Sequence, residues 1–185
     1  MIRKQIIEKI YTEVFLYYLT LKEINTDYFI NEIEKGIKTV SNKNNRTYVQ
    51  GEMTDWTYFN DNKELHKVLA ESFKYLKGGG LIFNCRLTDS WGIKMIKGNE
   101  TLEHAHGNSN LSGLMYLNDC PVPTIFKDVG YTHTPVKGDL LFFNSMLLHK
   151  VPKIKEDITK YAVSFNFMST AEFKKEKIND TNNAG

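Results

Sequence analysis

The sequence is poor in cysteine. Cys85 and Cys120 are the only two in 185 residues, too few for a disulfide framework, and they have neither CxxC nor zinc-finger spacing. A reducing compartment suits them. An excess of one charge is also missing: 24 Lys and Arg stand against 22 Asp and Glu, scattered along the chain. A nucleic-acid surface normally gathers its basic residues on one face, so that class is set aside. Long hydrophobic runs are absent as well. In "MIRKQIIEKIYTEVFLYYLT" the apolar residues are interrupted by Arg3, Lys4, Glu8, Lys9 and Glu13, which fits neither a signal-peptide core nor a membrane span. No internal repeat is visible. The expectation is a cytoplasmic protein with one domain over residues 1–173 and a flexible tail over 174–185, since this length supports one proper core rather than two.

What the sequence does have is a change of texture. "VFLYYLTL" is rich in β-formers, and in the stretch after it Tyr28, Phe29, Ile33, Ile37 and Val40 recur at helical spacing, with Asn25 or Thr26 as cap and "SNKNNR" as the terminating loop. A second helix fits "DNKELHKVLAESFKYLKGGG", with Leu65, Val68, Leu69, Phe73 and Leu76 as its stripe and three glycines to stop it. From residue 81 onward come "LIFNCRL", "WGIKMIK", "LSGLMYL", "TIFKDV", "DLLFFN" and "KYAVSFNFM", short β-rich runs separated by Gly, Asn, Asp and Pro. The pattern predicts a mainly β fold with helices (α+β), two helices packed on a β-sandwich or jelly roll.

Candidate chemistry starts at His104-Ala105-His106. On a strand, residues two apart point the same way, so both imidazoles can face one cavity. A redox-active iron site gathers three side-chain ligands and leaves positions open for reactants. His149, after the strand-like "KGDLLFFNSMLL", is the candidate third ligand. In "TKYAVSFNF", Lys160, Ala162, Ser164 and Asn166 alternate with Tyr161, Val163 and Phe165. A lysine on an inward face is costly unless an anion meets it, and a hairpin would bring Lys160 close to His149. Plainer roles stand beside these: Lys160 as an edge-strand lysine that blocks aggregation, His66 as a helix-surface residue, His133 as part of a solvated turn, and Trp56 and Trp91 as core or cavity-wall aromatics.

As an ordered set, Trp91, His104-Ala105-His106, "LSGLMYL", "KGDLLFFNSMLLH" and "KYAVSFN" resemble the iron(II)- and 2-oxoglutarate-dependent dioxygenases, most closely a small phage and bacterial branch. "YLND" followed by "KGDLLFF", a histidine and a lysine is also similar to the prolyl 4-hydroxylase arrangement. The resemblance spans roughly residues 50 to 168. It implies a double-stranded β-helix (jelly roll) with N-terminal helices packed against it. It further implies iron on His104 and His149, with His106 at the third position, and Lys160 paired with the distal carboxylate of 2-oxoglutarate. Tyr116 would donate its hydroxyl to that co-substrate, and Ser164, Asn166 and Trp91 would line the pocket. Cofactors would be Fe(II), 2-oxoglutarate and dioxygen, and the activity hydroxylation of an unidentified substrate, a peptidyl side chain such as proline among the options, with release of succinate and carbon dioxide.

Two departures stand out. The wider superfamily has His-x-Asp where this chain has His106, and the closest branch often has Arg where this chain has Lys160, so a single-point contact replaces a bidentate one. An all-imidazole donor set leaves open a three-histidine, cupin-type metal protein, either a thiol dioxygenase or a binding module without enzymatic activity.

Overall fold

The computed structural model describes residues 3–9, 12–40, 48–78 and 84–170. The expected loop at 41–46, the second and third glycines after the second helix and the tail at 174–185 lie outside these. Twelve strands and two α-helices occur among the described residues: β1 Arg3–Lys9, β2 Thr12–Thr20, α1 Thr26–Thr39, β3 Val49–Gln50, β4 Glu52–Met53, α2 Lys63–Gly78, β5 Cys85–Met95, β6 Glu100–His104, β7 Leu111–Tyr116, β8 Thr124–Phe126, β9 Tyr131–His133, β10 Asp139–Asn144, β11 His149–Val151 and β12 Lys160–Ser169. Neither helix is long and apolar enough to cross a membrane.

The strands form two antiparallel sheets, ordered β1-β2-β10-β7-β12-β5-β4 and β3-β6-β11-β8-β9. Each runs from one edge strand to another, so neither closes. The mainly β architecture with two helices stands, and the double-stranded β-helix, or jelly roll, is corrected to two open sheets. The reason lies in pairing that composition does not encode. The β1–β2 hairpin extends the larger sheet beyond β10, and the chain steps from β3 in one sheet to β4 in the other through Gly51 alone.

Strand alternation sorts the core into layers. Leu140 and Phe142 of β10 and Val163, Phe165 and Phe167 of β12 pack in one cluster with Phe29 and Ile33 of α1 and Leu65 and Leu69 of α2. Leu141 and Phe143 point the other way, into a cluster with Ala162 and Tyr116. The helices therefore cover one face of the large sheet, and its other face looks toward the small sheet. Helix α1 starts where the sequence indicates, with Asn25 Oδ1 accepting from Tyr28 N at 3.1 Å.

Residues 81–83 lie outside the described residues, and two of the expected runs, 81–87 and 91–97, meet in one eleven-residue strand, β5 Cys85–Met95, which takes in 85–87 of the first and 91–95 of the second. Its polar middle, which reads as a turn, is held by tertiary partners: Thr88 Oγ1 donates to Asn166 O and Ser90 Oγ to Asn60 Oδ1. One glycine is fixed by close approach. A Cβ at Gly113 would lie 2.1 Å from Phe165 Cε2 and 2.7 Å from Leu141 O. Gly113→Ala should therefore cost roughly 2–3 kcal/mol of stability through overpacking, read as a lower urea midpoint.

Candidate metal centre and cavity

His104 and His149 are direct cross-strand partners on β6 and β11, and their ring centroids lie 4.3 Å apart. Pairing creates this proximity, since "ETLEH" has little β character of its own. His106 lies two residues past His104, beyond the end of β6, where its backbone N–H donates to Ser145 O at 2.8 Å. One ring nitrogen from each of the three comes within 4.8 Å of the others. Glu103, between Leu102 and His104, is exposed, so the cluster is purely imidazole.

Backbone contacts set two of the three tautomers. His104 Nδ1 lies 2.9 Å from Leu102 O, and His149 Nδ1 lies 2.9 Å from Leu147 O. A carbonyl only accepts, so each Nδ1 carries the proton and each Nε2 keeps its lone pair. All three rings favour the neutral form. Burial pulls His149 down to about 3 and His106 down to about 4, with the nearby His104 adding to both, and burial likewise lowers His104. Three neutral, converging nitrogen donors suit a divalent transition metal such as iron, zinc, nickel or copper.

A cavity runs from His104 and His149 to Lys160, between the two sheets, with Thr101, Tyr116 and Thr124 as its other polar lining and aliphatic side chains and Trp91 as the rest. Lys160 is 3% exposed. It starts β12, whose neighbours β5 and β7 make it an interior strand, so Lys160 is not an edge lysine. The hairpin expected to join it to His149 is also absent: β11 and β12 belong to different sheets, and the two side chains meet across the interior. Lys160 Nζ donates to Val122 O at 3.0 Å and sits 5.4 Å from the centre of the Tyr116 ring. No carboxylate pairs with it among the described residues, and burial pulls it down to about 8.

Tyr116 is buried, and its hydroxyl donates to Thr124 Oγ1 at 2.8 Å, so the proton this pair has left for the cavity is that of Thr124. Trp91 is 3% exposed and packs edge-on against Trp56 at 4.7 Å. Its indole Nε1–H has no partner among the described residues. Ser164 is buried on the same face of β12 as Lys160 but does not line the cavity. Asn166 is also outside the lining; it contacts His106 and Ser112 instead.

Of the plainer assignments, His66 lies at the surface with Nε2 near Asn60 O. His133 differs from expectation: it is 5% exposed on β9, with Nε2 3.0 Å from Asp139 Oδ2 and its ring stacked on Tyr116 at 5.2 Å. "YTHTP" reads as a turn by composition, whereas a buried acid 6 residues away in the chain holds it inside. Sequence reading also missed Tyr48, half-exposed and stacked on His104 at 5.3 Å.

No family model and no curated protein sequence matches the chain. Solved structures do. A viral collagen prolyl hydroxylase, vCPH from Paramecium Bursaria Chlorella virus-1, in its 2OG complex, has a TM-score of 0.65 at 17% identity, covering 82% of this chain and 94% of its own. A Pseudomonas putida prolyl-4-hydroxylase has a TM-score of 0.60 at 15% identity, covering 83% and 92%. HygX from Streptomyces hygroscopicus, with nickel, 2-oxoglutarate and hygromycin B bound, has a TM-score of 0.58 at 13% identity, covering 84% and 83%. At such identities the likeness is one of fold alone: the chain shares its fold with these two prolyl hydroxylases and with HygX.

Proposed function

We propose that the chain is an Fe(II)- and 2-oxoglutarate-dependent oxygenase that hydroxylates its substrate and releases succinate and carbon dioxide. The observation that carries this reading is the pairing of two features in one cavity: at one end His104 and His149, two members of the three-imidazole cluster, and at the other a buried lysine with no carboxylate among the described residues. His104, His106 and His149 would hold the metal. With iron and the diacid bound, dioxygen would be the oxidant: one of its oxygen atoms would go into the C–H bond to give C–OH and the other into the succinate left when the diacid loses carbon dioxide.

The chain's own side chains do the rest. His104 and His149 offer fixed lone pairs because Leu102 O and Leu147 O hold their Nδ1 protons. Lys160 meets the distal carboxylate and so sets the depth and direction of the diacid. Thr124, backed by Tyr116, adds one O–H, and Trp91 offers an indole N–H that is costly to leave buried and unpaired. The aliphatic walls exclude water. One hydrogen bond contributes about 1–1.5 kcal/mol, so Trp91→Phe should weaken 2-oxoglutarate binding by roughly 10-fold with little loss of fold stability, as isothermal titration calorimetry would read.

The first substrate class to test is a prolyl peptide, because vCPH and the P. putida enzyme are prolyl hydroxylases by name. The deciding assay is protein-dependent succinate formation from 2-oxoglutarate with Fe(II) against a panel of peptides and small metabolites. Succinate that rises with one substrate and vanishes in His149→Ala supports the reading. No succinate above the background of the variant across the panel counts against it. The all-imidazole donor set favours a second reading, a three-histidine protein that needs no diacid, but such a protein has no evident use for Lys160.

A further inference from the structure

The pairing of β6 with β11 slips once. His149 lies opposite His104, but Val151 lies opposite Thr101, so Leu102 and Glu103 together face Lys150 alone. An extra residue of this kind is a β-bulge, which bends its strand and re-aims the side chains beyond it. Strict alternation would put His104 on the same face as Leu102, and Leu102 is 45% exposed. With the bulge, Leu102 and Glu103 both stay outside, while Thr101 and His104, three residues apart, both line the cavity. The bulge is what turns His104 inward.

Tyr48, just before the edge strand β3, holds the bulged segment from the other side. Tyr48 O accepts from Leu102 N at 2.8 Å, and Leu102 O in turn accepts from His104 Nδ1 at 2.9 Å. The Tyr48 ring closes the circuit: it lies on the His104 ring at 5.3 Å between centroids and 13° between planes, an offset stack. His149 is held in the same two ways. Its Nδ1 meets Leu147 O, the carbonyl two residues before it, and its ring is stacked on Phe126 at 5.5 Å and 26°. The two clamps differ in burial: Phe126 is wholly buried, whereas Tyr48 is 53% exposed and contributes little to the core.

We propose that Tyr48 is a positioning residue for the metal centre: its ring, laid on the bulged His104, fixes the plane of that imidazole and so the direction of its Nε2 lone pair. A hydrogen bond at Nδ1 holds one point of the ring and leaves it free to rock about that point. A flat neighbour on one face stops the rocking. Without the stack, His104 presents the same donor atom over a wider spread of directions, so a metal ion is held less tightly and in a less uniform geometry. The ring does this, not the hydroxyl. The inference rests on the reading of the three histidines as metal ligands. It goes beyond that reading by giving a half-exposed residue outside the cavity lining control over one ligand.

The test is Co(II) titration of the full chain, followed through the visible absorption of the bound ion, on wild type, Tyr48→Phe, Tyr48→Leu and Tyr48→Thr, each checked by a urea melt. Tyr48→Phe keeps the stack and should match wild type in Co(II) affinity and in the position and intensity of the band. Tyr48→Leu and Tyr48→Thr should each bind Co(II) about 3–10-fold more weakly, the worth of one such ring pair, with a shifted band and a urea midpoint close to that of wild type. Affinity and band alike in wild type and both ringless variants overturn the proposal and leave the metal site standing. A loss in Tyr48→Phe as large as in Tyr48→Leu also overturns it, because the hydroxyl would then carry the effect. Ringless variants that fail to fold, or that lose affinity only in step with the urea midpoint and with the band unchanged, make Tyr48 a structural residue and overturn it too. If only one of them folds, that one decides. Wild type that takes up no Co(II) overturns the metal site itself.

Discussion

His149→Ala should lose metal affinity by about 100-fold or more while remaining folded. Structural zinc binding of roughly 10–16 kcal/mol shared over four ligands gives about 3 kcal/mol per ligand, and each 1.4 kcal/mol is a factor of about ten. His149 is the strongest site for the test because it lies against both other rings, at 4.3 Å from His104 and 5.1 Å from His106. Its ring also packs on Phe126 and Phe143, at 5.5 and 5.0 Å, so truncation leaves a small void and lowers the urea midpoint somewhat. The core clusters on the helix side of the large sheet do not include it. Co(II) titration checked against a urea melt separates the two effects. Affinity within a few-fold of wild type in a folded variant would remove His149 from the site.

Lys160→Met should move binding and stability in opposite directions. The lysine is held at about 8, below its ordinary 10.5, because burial disfavours the charged form. Between those two values the unfolded chain holds more protons than the folded one, so ligand-free stability rises with pH across that window. At neutral pH the charge is retained at a cost of up to roughly 3 kcal/mol. Methionine fills a similar volume without that cost, and it leaves the Val122 carbonyl without its donor, a loss of about 1 kcal/mol. The net expectation is a variant more stable by about 1–2 kcal/mol at pH 7, with a flatter stability profile from pH 8 to 10.5. Its affinity for 2-oxoglutarate should fall by about 100-fold or more, since the diacid's distal charge would be buried unpaired. Denaturant midpoints at pH 7 and 9.5 and calorimetric titration with the diacid measure both sides. A variant that binds 2-oxoglutarate as well as wild type would leave Lys160 without its assigned task.

Local pattern revealed the parts of this protein whose placement depends on local pattern. The 3.6-residue stripes of Phe29, Ile33 and Ile37 and of Leu65, Leu69 and Leu76 are the buried faces of α1 and α2. The alternation in "KYAVSFNF" separates Lys160 and Ala162, which line the cavity, from Val163 and Phe165, which meet the helices. Pairing was not readable. Strand β6 has little β character in its residues and exists because β3 and β11 flank it. The opposition of Lys160 and His149 arises from two sheets facing each other rather than from the ten residues between them. Whether the sheets close depends on which edge strands add to them, and neither β1 nor the two-residue strands β3 and β4 announce that role. The Ser112–Asn166–His106 chain links residues 54 and 60 positions apart. No spacing rule reaches that far.

Anaerobic titration with Fe(II) and 2-oxoglutarate, followed by visible absorption, puts the shared cavity to the hardest test. A weak charge-transfer band should grow only when both are added to wild type. It should be absent with Fe(II) alone, absent in His149→Ala, and displaced to far higher diacid concentration in Lys160→Met. Tight uptake of Fe(II) or Zn(II) with no band and no measurable diacid binding would contradict the oxygenase reading and leave a metal-binding protein of another kind.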